Sequence, residues 1–235
     1  MAGLLFRKDS SNLSNYDKSP KCNIRQQEDV RVKAGVNPAQ AILSQSYLRL
    51  EVQASTSKTN YQFGVLVNDA PGGATQRPTE VRLNLQDAFY VGTVQMFTAL
   101  GAASDTALDL KTYPNPRVFS TAGAAAALYN LYNGYLSLTV NNRVITPNWD
   151  LYRHLEVNQT QQSTTPVAAG IPLDQMSGAG STAFSCEPNW VLIGSKNNVL
   201  QINLPSSIGT LQAATNTYIV LILRGILAQN VTVVS

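Results

Sequence analysis

Histidine is almost absent from this sequence. His154 is the one histidine in 235 residues, so a metal site with two or three histidine ligands is excluded. A catalytic triad built on imidazole would have this residue as its sole candidate base. In the segment 151–156, His154 alternates with apolar residues as in a strand and shares a face with Tyr152 and Glu156. We therefore expect a histidine at the surface or at an interface.

Charged residues are also scarce, at 13% of the chain against about 25% in a typical soluble domain. Much of the surface must then consist of uncharged polar side chains. Such a surface does little to repel neighbouring copies and suits permanent assembly, the alternative being a secreted monomer kept soluble by hydroxyls and amides. The net charge of +3 arises in residues 1–33, where seven basic side chains outnumber four acidic ones; the remaining ten basic and ten acidic residues cancel.

Cysteines and long apolar runs are equally few. Cys22 and Cys186 are predicted to be free thiols, since two cysteines define neither a disulfide framework nor a metal-type spacing. The continuous apolar run before the first charge has only three residues, far fewer than a signal peptide needs. The longest apolar run, 218–223, is too short to cross a bilayer. The sequence predicts a soluble protein without a membrane span, made without a secretion signal.

Sequence motifs for catalysis are missing as well. No phosphate-binding GxxxxGK[ST] loop, no GxGxxG after a strand and no GxSxG elbow occurs. Asp105 and Asp109 form a short-spaced acidic pair, but EF-hand spacing is lacking and solvated loop charges explain them. The sequence predicts no enzyme, no catalytic residue, no metal and no cofactor.

What the sequence does contain is alternation of polar and apolar residues with period two, which indicates half-buried strands. About ten short strands separated by turn residues favour an all-β fold, an antiparallel sandwich or single jelly roll. The predicted strands are 47–54, 61–67, 80–85, 135–140, 144–145, 152–157, 190–193, 199–204, 218–226 and 231–234. The predicted core residues are Leu48, Leu50, Val52, Leu83, Leu136, Leu138, Val140, Ile202, Leu204, Val220 and Ile222.

One or two short helices interrupt this pattern. The alanine-rich segment 121–132 predicts a helix with Thr121 as a candidate N-cap and an end at Asn133-Gly134. The segment 87–100 is apolar throughout and fits either a strand or a short helix. A polar stretch rich in Pro and Gly, 159–185, is predicted to be a long loop within one domain, because too few strands follow it to close a second core.

Residues 1–40 are predicted to form an extended N-terminal arm, followed by one β domain over 41–235. The arm has too few apolar residues to fold alone, so we expect a partner to order it. Its apolar tip, Leu4, Leu5 and Phe6, would be costly to leave in water and needs a pocket. Contacts to an acidic partner or to nucleic acid are expected from Arg7, Lys8, Lys18, Lys21 and Arg25.

A polar arm with a basic bias, followed by a charge-poor β body without a catalytic set, resembles the jelly-roll structural proteins of virus particles. The segments NGYLSLTVNNRVITPNWDLYRHLEVNQTQQ (133–162) and NTYIVLILRGILAQN (216–230) look like parts of capsid or head proteins of bacterial viruses. The resemblance implies a self-assembling shell subunit of a virion, assembled in the host cytoplasm. Its partners would be copies of itself, other virion proteins and, through the arm, packaged nucleic acid. The interruption of the basic residues by acids favours protein contact.

The alternative is a carbohydrate- or receptor-binding β-sandwich. Its binding platform would consist of Trp149, Trp190 and loop tyrosines. A 40-residue arm favours the shell subunit, because a free binding module has no need of one.

Overall fold

The computed structural model describes residues 41–69, 76–116, 118–156 and 182–231. These residues form nine strands, one α-helix and a 3-10 helix. The strands are β1 (Ile42–Gln53), β2 (Asn60–Phe63), β3 (Ala88–Gly101), β4 (Asp109–Lys111), β5 (Tyr135–Val140), β6 (Arg143–Asp150), β7 (Phe184–Ile193), β8 (Asn198–Asn203) and β9 (Asn216–Gln229). Helix α1 spans Ala124–Tyr132, and the 3-10 helix spans Tyr152–His154.

The strands form two antiparallel sheets. The long sheet has the order β1-β9-β3, and the far side of β3 pairs with β7 at one end and with β4 at the other. The short sheet has the order β2-β8-β5-β6. With β4 set aside, the pairs are nested: β1 with β9, β2 with β8, β3 with β7, and β5 with β6. The prediction of an all-β antiparallel sandwich is confirmed.

The core lies between the two sheets and follows from the alternation along each strand. In β8, Leu200 and Ile202 point inward, while Val199, Gln201 and Asn203 are only partly buried on the other side. Seven of the predicted core residues belong to this main core, and two pack against its edge as partly buried residues. The seven are Leu48, Leu50, Leu83, Leu136, Leu138, Ile202 and Leu204, and the two are Val52 and Val140.

The last two predicted core residues, Val220 and Ile222, are buried elsewhere. They lie with Phe97 and Tyr218 in a separate cluster. The inward positions of β9 are Ile219, Leu221 and Leu223. The prediction placed these two residues on the wrong face of the sheet. Strand β9 is apolar on both faces, so its pattern does not indicate which face meets the core.

Several predicted elements change in extent or type. The ambiguous segment 87–100 lies in strand β3 from Ala88 onward, and it has apolar residues on both faces because this central strand is buried on both sides. The predicted strand 152–157 is wrong: a 3-10 helix occupies Tyr152–His154. The predicted strand 80–85 is reduced to two isolated bridges, Val81 with Arg49 and Leu83 with Leu66.

Strand and helix ends differ as well. Strand β6 continues past 144–145 to Asp150, with Pro147 tolerated because β6 is an edge strand. Helix α1 begins at Ala124 after Gly123, whose φ is 82°, rather than at a Thr121 cap. The Thr121 hydroxyl instead accepts the Ala213 N–H at 2.9 Å. Most of the predicted loop 159–185, and residues 232–234 of the last predicted strand, lie outside the described residues.

A search of the described residues for a helix long and apolar enough to cross a membrane finds none.

Candidate functional site

The predicted assembly residues of the arm lie outside the described part of the chain. These are Leu4, Leu5 and Phe6 at the tip, and Arg7, Lys8, Lys18, Lys21 and Arg25 behind it. What the structure does place is the root of the arm. Ala41 adjoins the first residue of β1, and Ile42 is 59% exposed opposite Gln229 of β9.

His154 is fully buried, so its predicted surface position is wrong. Its ring lies between two partners: the Trp149 Nε1–H donates to Nε2 at 2.9 Å, and Nδ1 lies 3.0 Å from the Thr182 carbonyl oxygen. The Thr182 hydroxyl in turn accepts a hydrogen bond from the Gln95 amide at 3.2 Å. The wrong prediction followed from reading a strand where the chain turns into a 3-10 helix, which directs the ring inward.

Burial, with a smaller contribution from the nearby Arg153 guanidinium, lowers the pKa of His154 to about 4. The hydrogen bond to the Thr182 carbonyl acts in the opposite direction but does not offset the loss of hydration. The imidazole is therefore neutral at pH 7. With both ring nitrogens engaged inside the core, it joins the 3-10 helix to the residues that precede β7.

The two tryptophans do not form a binding platform. Trp149 and Trp190 are both buried in the core and pack edge to face, with ring centroids 5.3 Å apart. The Arg153 guanidinium lies over the Trp149 ring at 4.7 Å. The tryptophan part of the predicted platform is wrong because these indoles are the inward residues of strands β6 and β7.

Three further side chains considered in the sequence, Cys186, Asp105 and Asp109, are buried or paired. Cys186 is a free thiol in the core, and burial raises its pKa to about 12. Asp105 accepts the Ala102 N–H at 2.7 Å, and Asp109 pairs with Lys111 at 2.8 Å. Within the described ranges, no three His, Cys, Asp or Glu side chains come together as a metal site would require.

The outer face of the long sheet carries a buried ion network at one end. Glu51 accepts hydrogen bonds from Arg49 at 2.7 Å and from Thr79 at 2.8 Å, and forms a 3.1 Å ion pair with Arg77. The Arg77 guanidinium lies 4.5 Å from the Tyr218 ring centroid. It also donates to the carbonyls of two residues in the β3–β4 loop, Ala102 and Asp105.

At its other end, the same outer face carries an apolar cluster. Tyr90, Ile226 and Ala228 are buried there together with Ala88 and Val231. Ala41 and Leu43, at the root of the arm, pack against this cluster. Ala41, the residue that follows the predicted arm, therefore lies beside an apolar part of the sheet.

The outer face of the short sheet carries no charge on its first three strands and, apart from Val199, is polar there. The outward side chains of β2, β8 and β5 are Asn60, Gln62, Val199, Gln201, Asn203, Tyr135, Ser137 and Thr139. Sequence reasoning missed both outer faces. For the short sheet, the available signal was the run of amides and hydroxyls at alternate positions.

Comparison of the chain with known proteins identifies no relative. No protein-family model, no curated protein and no solved structure matches the chain.

Proposed function

We propose that this chain is a virion structural protein, a self-assembling shell subunit with a single jelly-roll domain. The nested strand pairing is the observation that carries the proposal. Rolling up one long hairpin of eight strands pairs the first with the last, the second with the seventh, the third with the sixth and the fourth with the fifth. The pairs β1–β9, β2–β8, β3–β7 and β5–β6 follow this rule, and the eight-stranded jelly roll is the architecture that it describes.

The position of the arm favours a shell subunit among the proteins that use this fold. Lectin domains and viral capsid proteins share the jelly roll, so topology alone does not choose between them. Residues 1–40 precede Ala41, which packs beside the apolar cluster on the long sheet. Fully extended, an arm of this length spans about 130 Å, which exceeds the width of a domain of this size.

The exposed apolar side chains at the root of the arm support assembly as well. Ile42 is 59% exposed and Tyr47 is 47% exposed, both on β1. Burying these side chains against a neighbouring copy would stabilise an assembled lattice. In this proposal the apolar tip of the arm docks on a neighbouring subunit, and its basic residues contact acidic rims or packaged nucleic acid. The proposed location is the virion, after assembly in the host cytoplasm.

Electron microscopy and light scattering of the full-length protein and of a variant lacking residues 1–33 test this function. We expect the full-length chain to form particles and the truncated chain to remain a soluble β domain with an unchanged circular dichroism spectrum. A triple substitution of Leu4, Leu5 and Phe6 by serine should also block assembly. The matched double substitution Arg7→Gln and Lys8→Gln should not. Normal particles from the truncated protein would overturn the role of the arm.

Salt dependence separates the two proposed partners of the arm. Contacts to phosphates weaken steeply as salt rises, whereas an apolar tip in a pocket does not weaken in this way. Particle yield that is stable with increasing salt would support protein contact as the main role.

A further inference from the structure

The outer face of the short sheet carries uncharged, hydrogen-bonding side chains on three neighbouring strands. We define the amide face as Asn60, Gln62, Gln201, Asn203, Ser137 and Tyr135. Strand register places these side chains in two neighbouring rows. One row contains Asn60, Asn203 and Tyr135, and the next contains Gln62, Gln201 and Ser137.

Side-chain hydrogen bonds hold this surface in one arrangement. Gln201 Nε2–H donates to Asn203 Oδ1, and Asn203 Nδ2–H donates to Ser137 Oγ at 3.2 Å. The Ser137 hydroxyl donates to the backbone carbonyl oxygen of Gln201 at 3.3 Å. Each side-chain amide has two N–H donors and an acceptor oxygen, so one chain of bonds does not use its full capacity. Fixing the amides before binding reduces the entropy that a ligand must overcome.

An aromatic ring borders the amides. Tyr135 is 41% exposed and lies opposite Asn203 on one side and Asp150 on the other. The Asp150 carboxylate is oriented by a 3.0 Å hydrogen bond from the Tyr152 N–H. A tyrosine at the edge of a hydrogen-bonding surface offers an apolar ring face and a polar tip to the same ligand.

The chemistry of the face narrows the class of ligand. Nucleic acids and acidic glycans are bound through cationic side chains, and strands β2, β8 and β5 place no lysine or arginine on this face. Contacts between protein copies usually have an apolar, aromatic centre, whereas amides and hydroxyls fill the middle of this face. A sugar without charge combines hydroxyl groups, which pair with amides, with an apolar ring face, which stacks on tyrosine.

We propose that the amide face binds a neutral glycan, with Tyr135 stacking on a sugar ring and Gln201 and Asn203 bonding its hydroxyl groups. This binding is independent of the shell function proposed above. A subunit that assembles without binding sugar, or one that binds sugar without assembling, separates the two proposals.

The test uses the full-length protein and a defined set of probes. Affinity electrophoresis in gels containing neutral glucan, mannan, galactan or an N-acetylglucosamine polymer finds the binding sugar, and calorimetry with its hexasaccharide gives the Kd. We expect at least one neutral polymer to retard the protein and a sialylated oligosaccharide to leave it unbound. Tyr135→Ala should weaken the Kd by about tenfold, and Asn203→Ala should also weaken it.

Tyr129→Ala is the matched control. Tyr129 is 39% exposed, similar to Tyr135, but lies on helix α1 outside the amide face. This variant should bind as the unchanged protein does. Failure of every neutral polymer to bind, or equal Kd values for the Tyr135 and Tyr129 variants, would overturn the proposal. Cross-links from Gln62→Cys to the same face of a second copy would also overturn it and identify the face as a subunit contact.

Discussion

The indole N–H of Trp149 donates to Nε2 of His154 at 2.9 Å, and this contact fixes the chemistry of the ring. An indole nitrogen can only donate, so Nε2 must be the unprotonated acceptor. Nδ1 then carries the proton and donates it to the Thr182 carbonyl oxygen, which can only accept. The neutral imidazole is thus required by both of its partners, and a second ring proton would face the Trp149 N–H.

This arrangement predicts that acid destabilises the fold through His154. The pKa is about 4 in the folded chain against the ordinary value of 6.5 in the unfolded chain, so below pH 6.5 the unfolded chain binds a proton that the folded chain does not. The contribution of the neutral His154 ring to the unfolding free energy is therefore fully present above pH 6.5 and is lost as the pH falls towards 4. At pH 4.5 the loss should be about 2 to 3 kcal/mol of unfolding free energy. Urea unfolding at pH 7 and pH 4.5 measures it.

His154→Gln is the reference for that measurement. This variant should be less stable at pH 7 because it loses the packed ring, yet its stability should fall less between pH 7 and 4.5. Carboxylates that titrate in the same range affect both proteins and cancel in the difference. Equal pH dependence in the two proteins would contradict the assignment.

Leu138→Asp should prevent folding. Leu138 is fully buried in the main core on β5, and an isolated carboxylate there would cost about 4 kcal/mol or more. Val144→Asp is the matched control, since Val144 is 57% exposed on the neighbouring strand β6. It should change the unfolding free energy by about 0.5 kcal/mol or less. Equal solubility and equal circular dichroism spectra would show that the alternation along β5 is misassigned.

Gly225→Ala should destabilise the long sheet because the added methyl group would collide with the backbone of β3. A Cβ atom at this position would lie 1.7 Å from the Tyr90 carbonyl oxygen, next to the register shift between Val91 and Thr93. We expect the unfolding free energy to fall by about 3 kcal/mol, because backbone atoms of both β3 and β9 must move. Gly123→Ala provides the contrast: its φ is +82° but no atom lies within 4 Å, so the cost should be about 1 kcal/mol. Thermal unfolding with similar midpoints for both variants would contradict the close approach.

Arg77→Gln should loosen the ion network on the long sheet. Its guanidinium ion pairs with buried Glu51 and donates to the carbonyls of Ala102 and Asp105. Removing this guanidinium leaves the buried Glu51 carboxylate with one fewer cationic partner, which should lower the unfolding free energy by about 3 kcal/mol. Hydrogen exchange should also rise in the β3–β4 loop. Arg143→Gln, at an exposed position of β6, should change neither the unfolding free energy nor the hydrogen exchange of the loop. Equal exchange in the two variants would argue against a role of Arg77 in holding the β3–β4 loop.

Local patterns were sufficient for strands β5 and β8 of the short sheet and for the fold class. Strands β5 and β8 alternate strictly, so the inward positions of Leu136, Leu138 and Ile202 follow from period two alone. The same rule failed on β9, where Val220 and Ile222 were assigned to the main core but belong to the outer cluster. A strand that is apolar on both faces does not indicate its inward side.

The sequence by itself determined an all-β chain with a charge-poor body, because composition and alternation are properties of neighbouring residues. The tertiary structure alone decided which strands pair, where His154 and the tryptophans lie and which side chains share the amide face. Strand pairing joins residues that are distant in the sequence, such as Ser137 and Gln201, and no local pattern records such a contact. The inward turn of His154 depended on a 3-10 helix that its alternating neighbours did not predict, since packing against Trp149 outweighed local preference.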